Sequence, residues 1–220
     1  MLITTEIPLE LNVIGTEIAF WKLEESAETL YAEAEPFLTD DEKHSFATFK
    51  NERRRREWLA TRLTVKSVLG HYPGIIYDGG KPHLGGQFGE NKHISITHTD
   101  GLVGIAISDN PNIGIDLERM TPRILRIKHK FLNANEFDYI DGDGLSHLLY
   151  IQWCAKEAMY KAVNVNNYDY QNTYTLPLFR YDGSPNGIAK GRVIMDDGSA
   201  IYLDVKYFEI DGCMCCIAAK

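Results

Sequence analysis

Polar and apolar positions alternate through EIAFWKL, residues 17–23, and predict a first strand. LTDDEKHSF follows with a capping box, Thr39 as N-cap and Glu42 three residues on, which predicts one long helix running to about Leu69. Gly70, with Pro73 and Gly74 just beyond, supplies the stop. The next tract, YDGGKPHLGGQFGENK, is rich enough in glycine to predict a surface loop where backbone can approach a ligand closely, with Lys81 in its middle. ISITHTDGLVGIAIS then predicts two strands joined at Asp100-Gly101. IGIDLE follows the turn DNPN as a third strand, and together the three predict an antiparallel meander.

The second half runs a similar course: a helix through HLLYIQWCAKEAMYKAV, a polar loop, then strands GRVIM, AIYLDVKYFEI and CMCCIAA. Residues 94–108 superpose on 205–219 without a gap when the two Asp-Gly turns are aligned, half a chain length apart. The pattern predicts an α+β fold of two similar halves, residues 1–110 and 111–220, related by pseudo-twofold symmetry, each with an antiparallel sheet and a long helix. A ligand site at their junction is the default expectation, because sites favour such interfaces.

Composition narrows the classes. A chain of 220 residues with 44% hydrophobic content can bury a real core. Its net charge of −8 argues against a protein that coats nucleic acid, so any anion site must be local. MLITTEIPLE carries neither a basic n-region nor an apolar h-region, and no stretch approaches the roughly 18 apolar residues of a spanning helix. The expectation is a cytoplasmic protein with no membrane partner. Cys154, Cys213, Cys215 and Cys216 lack the paired spacing of a zinc site and read as reduced core thiols.

Candidate chemistry gathers at two places. Strand alternation in IGIDLE puts Asp116 and Glu118 on one face and Ile115 and Leu117 on the other. An isolated D-x-E is most simply a solvent-facing edge, but side-by-side carboxylates are disfavoured unless a cation lies between them. On the later helix, Leu148, Ile151, Ala155, Met159 and Ala162 form an apolar stripe, with Glu157 opposite and Trp153 and Lys161 flanking it four residues before and after. A solvated Glu-to-Lys pair is the plain reading; a tryptophan on that face wants cover, which favours a cleft. His98 reads equally as an ordinary hairpin histidine. The run Arg53 to Arg56 reads as a solvated face, while Arg62 and Lys66, one helical turn apart, would need an anion between them.

Together these stretches resemble the 4'-phosphopantetheinyl transferase superfamily, in its Sfp-type form. R-E-W-L-A-T-R, G-K-P-H-L, S-I-T-H, G-I-D-L-E and W-C-A-K-E-A-M-Y-K occur in the family's order, the last two about 35 residues apart. The resemblance implies transfer of 4'-phosphopantetheine from coenzyme A to a serine of an apo acyl or peptidyl carrier protein, releasing adenosine 3',5'-bisphosphate. It implies that Asp116, Glu118 and Glu157 hold Mg²⁺, that Glu157 is also general base, and that Lys161 stabilises the leaving bisphosphate. Arg62, Lys81, Ser95, Thr97, His98 and Lys161 fall at coenzyme A-binding positions, His98 at the 3'-phosphate. The family's usual Ser before that histidine is Thr97 here, which keeps a hydroxyl. A holo-[acyl-carrier-protein] synthase acting as a monomer of two dimer-like halves is the implied enzyme.

Two other readings stay open. A Mg²⁺-dependent phosphohydrolase could use the same three carboxylates and would release phosphate without a carrier. A non-catalytic module gripping RNA through Arg53 to Arg56 would show salt-sensitive RNA retention. On the transferase reading, RILRIKHK, residues 123–130, supplies a basic, partly apolar segment suited to docking an acidic carrier.

Overall fold

A computed structural model describes residues 1–3, 13–137, 144–163, 165, 169–177 and 179–220. The polar loop expected after the second long helix lies partly outside them. The described residues fall into two compact units, the first made of residues 1–3 and Ile14–Asp109, the second of Val13 with the described part of Asn110–Lys220. Both mix helices with antiparallel sheet, as the patterning predicts.

The first unit contains β1 (Leu2–Ile3), β2 (Thr16–Lys22), α1 (Ala27–Ala34), α2 (Asp40–Ala47), α3 (Glu52–Leu69), β3 (Ile75–Asp78), β4 (Lys81–Leu84), α4 (Phe88–Asn91), β5 (His93–Thr99) and β6 (Leu102–Ser108). Its main sheet has the order β1-β2-β6-β5. The capping box at Thr39 forms, with Glu42 reaching back to the cap amide, but it starts only α2. The single helix expected from Thr39 to Leu69 is therefore two, because Asn51 caps a new start through a bond from the Arg54 amide. Gly70 ends α3 in the left-handed conformation, the stop that the glycine supplied. The sequence reading missed α1, capped by Ser26. It also took the glycine-rich tract for a loop, whereas residues 75–84 form a small hairpin turning at Gly79-Gly80.

The second unit contains β7 (Ile113–Arg119), α5 (Ile124–Ile127), a 3-10 turn (Lys128–Lys130), α6 (Ala134–Phe137), α7 (Leu145–Val163), β8 (Tyr174–Thr175), β9 (Asn186–Ile194), β10 (Ala200–Ile210) and β11 (Cys213–Ala219). The sheet order is β7-β11-β10-β9-β8. The expected meander is corrected here: β7 pairs with β11 instead of β6, an attachment set by the second unit's core. That core holds the predicted stripe of α7, with Leu148, Ile151, Ala155, Met159 and Ala162 all buried. Close approach of α7 to the sheet explains two glycines. A Cβ on Gly114 would lie 1.9 Å from the Ala158 carbonyl oxygen, and one on Gly191 2.2 Å from the Met159 sulfur. The glycine of G-I-D-L-E is thus a packing requirement, setting Asp116 and Glu118 beside the helix. All four cysteines are buried in this unit, and burial pushes the Cys154 and Cys215 thiols well up. Among the described residues no helix is long and apolar enough to cross a membrane.

Candidate active site

Asp116 and Glu118 leave the same face of β7, and Glu157 comes from α7, which packs directly on that strand. Each carboxylate has its own partner. Lys161 donates to Asp116 Oδ1 at 2.8 Å and to the Ile115 carbonyl at 2.9 Å. Trp153 Nε1 donates to Glu118 Oε1 at 3.1 Å, so the tryptophan finds its cover in the acid cluster and in the rings of Phe131 and Tyr170. The Tyr170 hydroxyl acts on Glu157 as a neighbour that lowers its pKa.

Glu157 and Glu118 both feel the Asp116 charge. Burial, then the Asp116 charge, pushes Glu157 up to about 7, against the opposing pull of Lys161 and of Tyr170. Glu118 is raised for the same two reasons, with Trp153, Lys161 and Arg123 pulling it back. Three hard oxygen donors crowded by like charge suit a divalent cation such as Mg²⁺, which would relieve the repulsion. As they stand, no three Asp, Glu, His or Cys side chains among the described residues are drawn into a metal cage. The donor chemistry fits a cation, and taking one up requires these carboxylates to converge from their present partners.

Two neighbours escaped the sequence reading. Lys156, adjacent to Glu157, is completely buried and spends its ammonium on Phe131 O at 2.6 Å, Glu136 Oε2 at 2.8 Å and Tyr170 O at 2.9 Å. Burial lowers its pKa and the Glu136 charge opposes that. Tyr170 sits in an amide-rich tract without periodicity, so only the tertiary contact reveals it.

The residues expected to meet coenzyme A lie in the first unit, apart from Lys161. Arg62 has a side chain 3% exposed, donates to Glu42 Oε1 at 3.0 Å and to the Trp58 carbonyl, and stacks on the Trp58 ring. Its counter-charge is thus internal, and Lys66 stacks on Phe37. Ser95 and Thr97 are buried, and Thr97 pairs across the sheet with Gly104. The Thr97 methyl group would touch any side chain placed at Gly104, so the glycine makes room for the hydroxyl residue's extra carbon. His98 points the other way, 56% exposed, with Nδ1 3.6 Å from Glu57. Lys81 is half-buried at the β3–β4 turn, opposite Asp78. The arginine run is used locally: Arg53 bonds Glu57, Arg54 and Arg55 cover Phe49 and Phe46, and Arg56 donates to the Leu23 carbonyl.

Comparison with known proteins bears on the second unit most directly. Residues 112–185 match the family model of the 4'-phosphopantetheinyl transferase superfamily. The chain is 26% identical over 170 residues to 4'-phosphopantetheinyl transferase HetI of Nostoc sp. (strain PCC 7120 / SAG 25.82 / UTEX 2576), covering 70% of this chain and 72% of that one. It is 30% identical over 79 residues to 4'-phosphopantetheinyl transferase gsp of Aneurinibacillus migulanus, covering 34% of this chain and 33% of that one. The strand and the helix that carry the three carboxylates therefore both lie within the stretch that matches the family model of the 4'-phosphopantetheinyl transferase superfamily.

Proposed function

We propose that the protein transfers 4'-phosphopantetheine from coenzyme A to a serine hydroxyl of an apo acyl or peptidyl carrier protein. The observation that carries this reading is the acid cluster of Asp116, Glu118 and Glu157, set by β7 and α7 inside the matched stretch, with Glu118 and Glu157 raised in pKa by burial and by the Asp116 charge. In the reaction the serine oxygen forms a bond to the phosphorus nearer pantetheine, and the pyrophosphate P–O bond breaks to release adenosine 3',5'-bisphosphate. The serine proton passes to Glu157, directly or through water. In the metal-free chain burial and the Asp116 charge raise this carboxyl to about 7, above an ordinary glutamate. Asp116, Glu118 and Glu157 would hold Mg²⁺, which supplies charge neutralisation on the phosphoryl oxygens. Lys161, already directed at Asp116, would carry its ammonium to the leaving bisphosphate.

Among the first unit's cations, Lys81 and the exposed His98 are assigned to coenzyme A phosphates. Arg62, enclosed with Glu42 and Trp58, is assigned to holding α2 and α3 together. The same reading takes the working form as a cytoplasmic monomer with pseudo-twofold halves. Support for two similar halves is the hairpin that closes each unit, β5–β6 and β10–β11, whose last strand pairs with the strand that precedes the unit's helices, β2 and β7.

Incubation with coenzyme A, Mg²⁺ and an apo carrier protein tests the reading. The carrier should gain the mass of one phosphopantetheine. Phosphate release without a carrier, and no mass gain with one, would favour the phosphohydrolase instead.

A further inference from the structure

We propose that Tyr150 of α7 and Gln171 are positioning residues that hold the basic segment 122–130 in a preformed shape for docking an acidic carrier protein. The inference rests on the carrier reading proposed above.

The segment has little of its own to hold it. It consists of α5, four residues long, and a 3-10 turn of three, and neither has a side-chain cap. Its internal bonds are short in span, from the Leu125 amide to Pro122 O at 3.3 Å and from the Arg126 amide to Arg123 O at 3.0 Å. Helical pieces of this length are marginal in water, so their shape is set by tertiary contacts.

Those contacts lie at the two ends and once between. At the entry, the Tyr150 hydroxyl accepts from the Thr121 amide at 2.9 Å and donates to the Thr121 carbonyl at 3.0 Å. One buried side chain thus fixes both backbone groups of an exposed residue. Midway, Ile124 is buried in the core of the second unit. At the exit, Gln171 Nε2 donates to the His129 carbonyl at 2.6 Å, and the Lys156 ammonium to Phe131 O at 2.6 Å. Lys156 gives its other hydrogens to Glu136 Oε2 and Tyr170 O, so all three are committed. Gln171 is itself tied down, its carbonyl accepting from Asn133 Nδ2 at 2.9 Å.

What the pinned stretch presents is positive charge. From Arg119 to Asn135 the chain has five Lys and Arg and no Asp or Glu. Arg123, Arg126 and Lys130 are exposed together with Leu125. Cations set along a fixed backbone with an apolar residue among them complement carboxylates on a folded partner. Holding the segment in one shape before the encounter removes the cost of ordering it on binding. Without the ties, apparent affinity falls with the fraction of molecules that have the segment in place.

Tyr150→Phe keeps the buried ring and removes only the hydroxyl, and water can take the exposed Thr121 backbone groups. Gln171→Leu removes the tie at the other end. In the full chain carrying both changes, amide hydrogen exchange across residues 121–132 should quicken about tenfold, with the urea midpoint kept. KM for an apo carrier protein should rise about fivefold, with kcat and KM for coenzyme A unchanged. An unchanged carrier KM, or exchange as slow as wild type, would overturn the proposal and leave the transferase reading standing. A lowered midpoint with both KM values raised alike would also overturn it, showing a general structural role. If the wild-type chain modifies no carrier at all, the carrier reading and the docking role fall together.

Discussion

Replacing Glu157 by Gln should stabilise the metal-free protein while removing its catalytic proton acceptor. Folding moves the Glu157 carboxyl from its ordinary 4.5 to about 7, because the charged form is buried beside Asp116 and Glu118. At ~1.4 kcal/mol per pH unit, that gap amounts to about 3 kcal/mol, a ceiling that residual solvent screening reduces. The sign follows from linkage: between pH 4.5 and 7 the folded chain binds more protons than the unfolded one, so stability falls as pH rises. The contribution of this group is fully present below 4.5 and is lost by the time the pH has passed about 7. Glutamine cannot ionise. Urea unfolding in chelator, followed by circular dichroism from pH 4.5 to 8.5, should show a gain for Glu157→Gln of about 2 to 3 kcal/mol at pH 8. Near pH 4.5 the gain should shrink almost to zero, and phosphopantetheine transfer should be lost throughout. A variant no more stable than wild type at pH 8, or a difference independent of pH, would refute the picture of a crowded acid site.

Three further expectations concern other parts of the chain. Gly114→Ala should lower stability by about 1 to 3 kcal/mol or more, read from urea midpoints, since its Cβ would collide with the Ala158 carbonyl; an unperturbed midpoint would mean that α7 does not press on β7. Lys81→Ala and His98→Ala should raise KM for coenzyme A more than they lower kcat, and an unchanged KM would remove both from the cosubstrate site. Reversing Arg126 and Lys130 to Glu should raise KM for the carrier and flatten the salt dependence of the rate without touching coenzyme A binding. Both side chains are exposed beside the exposed Leu125, whereas Ile124 has turned into the core; wild-type carrier kinetics would place docking elsewhere.

Elements with local signals were legible from sequence. The strands flanking Asp100-Gly101 and Asp211-Gly212 lie where alternation put them, with the left-handed backbone at Gly101, Asp211 and Gly212 that tight hairpins require. The apolar stripe of α7 and the in-and-out order of β7 were equally readable, because each follows from one periodicity. The break between α2 and α3 was missed although Asn51 is a good cap, since helix-forming residues on both sides mask a four-residue interruption. Arg62 shows what sequence withholds: its counter-ion, Glu42, is twenty positions away on another helix, and its ring partner Trp58 could as well have faced solvent. Tyr170 shows the same, as nothing in its amide-rich surroundings points to Glu157.

The buried thiols have a consequence for work with a substrate that itself ends in a thiol. Thiol–disulfide exchange needs an accessible thiolate, and here every cysteine is buried, with the Cys154 and Cys215 thiols held strongly in the protonated form. Oxidised, dimeric coenzyme A can therefore share a solution with the native chain without capturing it as a mixed disulfide. Because every cysteine lies on α7 or β11, any alkylation that does occur reports on the exposure of those two elements.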